Sequence, residues 1–276
     1  RGCLLPSILL RYSNGRVQTK QLPGVFRSFA PSSINDGLIL VGDRGRIVRL
    51  DGDRVHNITS GTRQNLRGIS VNRANGIILV VGNAGTVLEL NERASALRGS
   101  ILASQNLRAV SWNLDGTMAL IAGNVGTLLT FSEDGTHEVQ GGRGNFRRIA
   151  WRPNSKLALV TSNCFAEEFI PSPNLFSYDT QTGALSSLNE GRADLIGVDW
   201  NADGTAAIVV GYDVIWHNAV LATYDGRDLS PMEFSGRRVY PVAVSWNPRK
   251  EVAAIVTATA QFGEGEGIVY LWNGSE

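Results

Sequence analysis

The stretch that decides the fold is Leu107-Arg108-Ala109-Val110-Ser111-Trp112-Asn113-Leu114-Asp115-Gly116. It is typical of a short alternating strand followed by a polar turn, and it recurs throughout the chain. The related stretches begin at Phe26, Leu66, Phe146, Leu195 and Pro241, and the sixth residues of the six stretches are spaced by 40, 41, 39, 49 and 46 positions. A repeat near 40 residues indicates stacked similar units rather than one irregular fold.

Each unit continues from that turn with an apolar run, a second turn, a third strand and a weaker fourth strand. In the first three units the second turn is compact, as in Gly82-Asn83-Ala84-Gly85. Glycine supplies the positive φ that such a tight reversal requires. Residues 91–105 have a helix-friendly composition. They nevertheless occupy the same slot as residues 55–61 and 136–142, where no helical pattern exists. Four short strands per unit therefore predict an all-β chain that folds as a β-propeller.

The tryptophans that end the first strands carry a resemblance to a known family. A polar turn follows each of them: Asn-Leu-Asp-Gly after Trp112, Arg-Pro-Asn-Ser after Trp151, Asn-Ala-Asp-Gly after Trp200 and Asn-Pro-Arg-Lys after Trp246. In this the chain resembles the WD40-like β-propeller repeat superfamily across nearly its whole length, with degenerate repeats. The Gly-His pair is missing and other dipeptides replace the terminal Trp-Asp, so the family's hydrogen-bond tetrad does not carry over. The Gly-x-x-Gly turns also resemble those of photosystem-assembly-type propellers. The resemblance implies the fold and leaves the function open.

The number of predicted strands favours six four-stranded blades. Five complete units give 20 strands, the last unit adds three, and an N-terminal hairpin of residues 7–12 and 16–22 adds two. Six blades need 24 strands and seven need 28, so we expect the strand at residues 16–22 to close the ring as the outer strand of the last blade. Such a clasp hides sheet edges. Seven blades are the alternative, if the natural chain extends upstream. We expect one propeller domain over residues 1–276.

Composition excludes several classes of function. The chain has 26 Lys and Arg against 25 Asp and Glu, a net charge of +1, which provides no global field for nucleic acid or an anionic membrane. The apolar run at residues 77–81 is far shorter than the roughly 18–20 residues that cross a bilayer, so no transmembrane segment is expected.

The compartment is left open by the sequence. The chain starts at Arg1 rather than Met, which indicates either a removed leader or a start inside a longer protein. Sequons at Asn57 and Asn273 are compatible with export, and Cys3 and Cys164 are as ordinary unpaired as paired. A cytoplasmic location is slightly favoured over export, and the oligomeric state is not indicated.

Four arginines hold the same position at the start of the first strand in successive units. They are Arg27, Arg67, Arg108 and Arg147, and we expect them to form an arginine arc on one rim; the fifth and sixth units have Ile196 and Val242 instead. Guanidinium groups bind carboxylate or phosphate bidentately. In WD40-like proteins this slot often contacts partners, so the resemblance supports a binding role. The alternative is that the arginines pair with loop carboxylates or repeat through common ancestry. Asn65, Asn106 and Asn145, two residues earlier, are interpreted as turn residues.

Long loops between the second and third strands distinguish the later units. These loops, residues 162–174, 211–219 and 258–266, are predicted to emerge on the same face as the arginine arc. Long loops on one face are more often functional than neutral. Surface drift is the alternative. The loops carry aromatic, acidic and imidazole side chains: Phe165, Glu167, Glu168, Trp216, His217, Phe262, Glu264 and Glu266.

Catalytic and metal-binding motifs are missing from the sequence. Its three histidines show no metal-ligand spacing, and no Gly-x-Ser-x-Gly or Walker pattern is present, so no cofactor is expected. We therefore predict a non-catalytic scaffold that binds a protein or peptide partner, in particular an acidic one, through the arginine arc and the long loops. The alternative is an exported enzyme or carbohydrate-binding module that uses the aromatic loops, with His217 and Glu167 or Glu168 as acid–base groups.

Overall fold

The structure is a computed structural model that describes residues 7–13, 16–32, 37–91, 94–163, 171–216, 218–233, 239–259 and 267–273. The chain is all-β and forms a six-bladed β-propeller, as the sequence predicts. The described residues contain no α-helix, and their one helical element is a short 3₁₀ turn at Asp43–Gly45. None of their helices could cross a membrane. Two compact units divide the chain, Arg1–Leu107 and Arg108–Glu276.

The first unit consists of a hairpin and two four-stranded antiparallel sheets. The hairpin is formed by β1 (Ser7–Ser13) and β2 (Arg16–Leu22). Blade 1 contains β3 (Phe26–Pro31), β4 (Leu38–Gly42), β5 (Ile47–Asp51) and β6 (Arg54–Ile58). Blade 2 contains β7 (Leu66–Val71), β8 (Ile77–Gly82), β9 (Thr86–Asn91) and β10 (Ala94–Ile101). Strand β10 confirms the strand assignment within residues 91–105.

The second unit contains the remaining four sheets, three with four strands and the last with three. Blade 3 is β11 (Leu107–Trp112), β12 (Met118–Gly123), β13 (Leu128–Ser132) and β14 (Gly135–Glu138). Blade 4 is β15 (Asn145–Trp151), β16 (Leu157–Asn163), β17 (Ser172–Asp179) and β18 (Leu185–Gly191). Blade 5 is β19 (Ala193–Trp200), β20 (Ala207–Asp213), β21 (Ala219–Tyr224) and β22 (Leu229–Pro231). Blade 6 is β23 (Tyr240–Trp246), β24 (Ala253–Ala258) and β25 (Gly267–Trp272).

The N-terminal hairpin corrects one prediction. Strand β2 has the bounds expected from the sequence, but it pairs with β1 in a separate two-stranded sheet instead of serving as the outer strand of the last blade. Only two residues separate β1 from β2 in the sequence, so the local partner is the easiest one to reach. One face of the hairpin packs on blade 1, where Leu9 and Leu22 contact a cluster that includes Leu40 and Val48.

Apolar second strands explain why successive blades pack together. In each of β4, β8, β12, β16 and β20 almost every side chain is buried. In the first unit one cluster joins blades 1 and 2, with Val41 and Val80 among its members. In the second unit separate clusters join blades 3 and 4, 4 and 5, and 5 and 6.

First strands carry a β-bulge at a constant position. The pairing register shifts after the first paired residue of the repeat in blades 1, 2, 4, 5 and 6. The bulged residue is Arg27, Arg67 or Arg147 in three of these blades, and Ile196 or Val242 in the other two. A bulge re-aims the side chain that it carries, so the arginine position is a backbone feature of the repeat and not only a sequence coincidence.

Candidate functional site

The compact turns of blades 1 to 3 hold one non-glycine residue each in the left-handed backbone region. These residues are Arg44, Ala84 and Val125, with φ of 59°, 51° and 54°. A positive φ is uncommon for any residue with a Cβ and a genuine outlier for a β-branched one such as Val125. All three residues are exposed. Such a conformation persists only where the surrounding structure imposes it.

Side-chain oxygens of the following blade impose that conformation. The backbone N–H of Arg44 donates to Oδ1 of Asn65 at 2.9 Å, and the N–H of Ala84 donates to Oδ1 of Asn106 at 2.9 Å. In the second unit the N–H of Val125 donates to Oδ1 of Asn145 at 3.1 Å. The three asparagines, interpreted from the sequence as simple turn residues, thus tie each turn to the next blade. The signal that could have revealed this role is their recurrence at one position of the repeat.

The glycine that follows each left-handed residue makes a second bond to the next blade. Gly45 N–H donates to the carbonyl of Gln64, Gly85 N–H to that of Gln105, and Gly126 N–H to that of Gly144. A Cβ on Gly85 would overlap the backbone of Ala103, so the close approach requires glycine in addition to the positive φ of 65°. Each of these turns is therefore held rigidly by two hydrogen bonds from its neighbour.

Three of the four predicted arginines lie directly beside these turns. Arg27 donates from Nε and Nη2 to the two carboxylate oxygens of Asp43, each at 2.8 Å. In the next two blades the acceptor is an amide instead: Arg67 Nε donates to Oδ1 of Asn83 at 3.1 Å, and Arg108 Nε donates to Oδ1 of Asn124 at 2.9 Å. The start of the first strand and the second turn thus lie together in each of these blades, as the sequence predicts.

The first unit carries a cationic cluster around a single carboxylate. The pKa of Asp43 is lowered first by the hydrogen bonds from Arg27 and further by the charges of Arg67 and Arg44. The hydrogen bonds to Asp43 in turn raise the pKa of Arg27. Three guanidinium groups therefore lie close enough to the Asp43 carboxylate to stabilise its charged form, on a chain that is almost neutral overall.

Arg147 in blade 4 has different surroundings from the other three arginines. Its Nε is buried and has no hydrogen-bond partner among the described residues. The compact Gly-Asx-x-Gly turn is replaced here by the long segment at residues 162–174. The residue equivalent to Asn83 and Asn124 is Asn163, and its Oδ1 accepts the backbone N–H of Asn145 at 3.2 Å. The neighbour of Arg147 in the chain, Arg148, which the sequence analysis did not single out, is partly buried, and burial together with the charge of Arg147 lowers its pKa.

Of the eight side chains that the sequence singles out in the long loops, the structure describes one. Trp216 is 73% exposed, and its backbone N–H donates to Oδ1 of Asp213 at 2.7 Å. Phe165, Glu167, Glu168, His217, Phe262, Glu264 and Glu266 lie outside the described residues. No cluster of three or more His, Cys, Asp or Glu that could hold a metal ion occurs in the described part of the chain.

Comparison with known proteins shows the fold. A chain of the Kuenenia stuttgartiensis hydrazine synthase superposes with a TM-score of 0.72 at 12% identity, covering 90% of this chain and 80% of that chain. A chain from a crystal structure of a mitotic checkpoint complex gives 0.72 at 13% identity, covering 91% and 79%. The shared architecture is the β-propeller. No protein-family model matches the sequence, and no curated protein sequence matches it significantly. At such identities the likeness concerns the fold alone.

Proposed function

We propose that the chain is a non-catalytic propeller platform that binds an acidic segment of a protein or peptide partner on its turn face. The turn face lies within the first unit and is defined by Arg27 and Arg67 at the first-strand bulges and by the turn tips Arg44 and Ala84. The observation that carries the proposal is the cluster of Arg27, Arg44 and Arg67 around the single carboxylate of Asp43. A partner carboxylate that approaches this cluster replaces water around cations that Asp43 neutralises only in part.

The rigidity of the turns supports a binding role. Every immobilised side chain or loop costs free energy on association, so a surface that is already ordered binds more tightly than one that must be ordered. The turn tips are fixed by hydrogen bonds from the next blade, and Nε of Arg67 is fixed on Asn83. The geometry presents donors whose positions are set before the partner arrives.

The later loops extend the proposed surface. Exposed Trp216 offers a large apolar ring with a polar edge, the kind of side chain that anchors protein interfaces. In this proposal the second unit contributes contacts of its own through Arg108, Arg147, Phe165, Glu167, His217 and Phe262. The two similar structures include a subunit of an enzyme and a subunit of a checkpoint complex, so the propeller fold itself does not choose between catalysis and scaffolding.

A charge-matched comparison tests the proposal. The site variant carries Arg27→Gln, Arg44→Gln and Arg67→Gln, and the control variant carries Arg16→Gln, Arg54→Gln and Arg73→Gln, which are exposed arginines of the same unit away from the turn face. The probe is a fluorescent glutamate-rich peptide, measured by anisotropy at several salt concentrations.

We expect the site variant to bind the peptide roughly tenfold to a hundredfold more weakly, because each exposed ion pair contributes about 0.5–1 kcal/mol. Its affinity also depends less on salt, since fewer charges are screened. The control variant, with the same change in net charge, keeps the affinity of the unmodified chain. Equal loss in both variants would show that the peptide senses net charge and not this face.

A further inference from the structure

Blade 4 replaces an apolar slot of the repeat with a polar pair. Arg148 on β15 lies directly opposite Thr161 on β16. The same slot pairs Ser28 with Val41, Gly68 with Val81, Gly197 with Val210 and Ala243 with Val256 in blades 1, 2, 5 and 6. A small residue facing valine thus becomes an arginine facing threonine in this blade alone among the five whose register is described. Residues directly opposite each other project to the same face of the sheet, so the two polar side chains are neighbours.

Two buried polar atoms at or beside this slot have no hydrogen-bond partner among the described residues. Thr161 is fully buried, and its Oγ1 has no hydrogen-bond partner within the described chain. Nε of Arg147, one residue from Arg148, is buried and equally without a partner there. Burial and the charge of Arg147 lower the pKa of Arg148, and among the described residues no carboxylate opposes that shift. A buried donor without a partner costs about 1–3 kcal/mol, so two beside a partly buried guanidinium require an explanation.

The glycine at the same slot of blade 5 indicates where the Arg148 side chain points. A Cβ on Gly197 would meet the side chain of Val210, its cross-strand partner, and the backbone of Ala243 and Val244 on the next first strand. The slot therefore faces the first strand of the following blade. For Arg148 that strand is β19, which carries Gly197 at the same slot.

We propose that Arg147, Arg148 and Thr161 form a binding site for an oxyanion, a carboxylate or a phosphate group. Two guanidinium groups supply forked N–H donors that match either group, and the threonine hydroxyl adds a third donor. A bound oxyanion compensates the charge of Arg148 and satisfies the buried donors together. Away from bulk water these charge-assisted hydrogen bonds are stronger than on the surface. The site is independent of the arginine cluster in the first unit.

Anion titrations of the whole chain test the site. The probes are inorganic phosphate and succinate, each added against sodium chloride at constant ionic strength, with the melting temperature and the binding heat as readouts. We expect a saturable rise in melting temperature with at least one probe, phosphate identifying a phosphate ligand and succinate a carboxylate ligand. A chain that responds to neither probe beyond the chloride baseline refutes the proposal.

Two variants at the slot assign the effect to these residues. Arg148→Met removes the buried charge and is expected to weaken the anion response at least tenfold, while Arg148→Lys keeps the charge and loses the fork, with a smaller loss. Thr161→Val introduces the valine that other blades have at this slot, so this variant is expected to fold. Its anion response shows how much the threonine hydroxyl contributes to binding. An undiminished response in Arg148→Met overturns the proposal.

An internal ion pair is the competing explanation, and a double substitution separates it. If Glu167→Gln with Glu168→Gln lowers the melting temperature as much as Arg148→Met, and the changes are not additive, the arginine already has a partner within the chain and the proposal fails. Arg148→Met is expected to leave binding of the glutamate-rich peptide by Arg27, Arg44 and Arg67 unchanged. Failure of the oxyanion site is therefore distinguishable from failure of the proposed function.

Discussion

Substituting Gly85 by alanine probes the contact between a turn and the next blade. Gly85 has φ of 65°, and an added Cβ would overlap backbone atoms of Ala103, which no side-chain rotation can relieve. Gly52 is the matched control: its φ is 61°, and a Cβ there meets nothing within 4 Å. Both substitutions incur the backbone cost of a left-handed residue, about 1–2 kcal/mol, so the difference between them isolates the packing against the next blade.

The expected difference follows from the hydrogen bonds that the added methyl group displaces. Gly85 N–H donates to the carbonyl of Gln105 at 2.8 Å, and Leu102 N–H donates to the carbonyl of Gly85 at 3.1 Å. The adjacent bond from Ala84 to Asn106 depends on the same approach. At about 0.5–1.5 kcal/mol each, losing two or three of these bonds costs roughly 2–4 kcal/mol. We therefore expect Gly85→Ala to lose about 3–6 kcal/mol in total, and Gly52→Ala about 1–2 kcal/mol.

Urea unfolding and differential scanning calorimetry measure both variants. The extra destabilisation of Gly85→Ala corresponds to a melting temperature lower by roughly 5–15 °C than that of Gly52→Ala, at about 2–4 °C per kcal/mol for a chain of this size. Asn106→Ala added to Gly85→Ala is expected to cost little more, because the two changes break one shared contact. Equal stability losses in Gly85→Ala and Gly52→Ala would refute the claim that turns are held by the following blade.

Three further substitutions test other parts of the structure. Asn106→Ala leaves a turn N–H without its acceptor and should cost about 1–3 kcal/mol in urea unfolding, whereas Asn75→Ala, which caps a local turn, should cost less. Burial raises the pKa of Asp199, so the unmodified chain should lose stability relative to Asp199→Asn as the pH rises from about 4 toward neutrality; parallel curves of unfolding free energy against pH would contradict this. Arg27 lowers the pKa of Asp43, so the unmodified chain should gain up to about 1 kcal/mol over Asp43→Asn above about pH 4 and lose the gain as the pH falls, and high salt should reduce it.

The fold was predictable because the chain repeats it. A single unit such as residues 107–116 gives an ambiguous strand and turn, but six copies at a near-constant period remove the ambiguity. The repeat register correctly predicted strand β10 against a helix-friendly composition, and β25 with the observed bounds. The N-terminal hairpin pattern, which lies outside the repeat, predicted β2 with the observed bounds. The partner of β2 was not predictable in this way, because an outer strand has no repeat-wide pattern that says which edge it joins.

The contacts of the candidate site were predictable only in part. Equal sequence positions placed Arg27, Arg67 and Arg108 beside the second turns, since equal register gives equal geometry in each blade. The role of Asn106 was missed because an asparagine before a strand is typical of a local turn, and a bond to the preceding blade leaves no mark in its neighbours along the chain. Arg148 was missed because the sequence argument compared residues that recur in every unit, and an arginine at this slot occurs in blade 4 and not in the other units.

Departures from the repeat are where this fold has room for function. In a propeller the same packing environment recurs at the equivalent position of each blade. A residue that recurs there, such as the valine of the Gly68–Val81 slot, is therefore explained by packing alone. A buried Arg148–Thr161 pair is not explained in that way, because small and apolar residues fill the same slot elsewhere without the cost of burying charge. The compact turns of blades 1 to 3 recur, whereas blade 4 has a long segment in place of the compact turn and, among the described residues, a buried Nε of Arg147 and a buried Oγ1 of Thr161 without hydrogen-bond partners. The repeated positions thus supply the platform, and the exceptional ones in blade 4 are where a ligand contributes most.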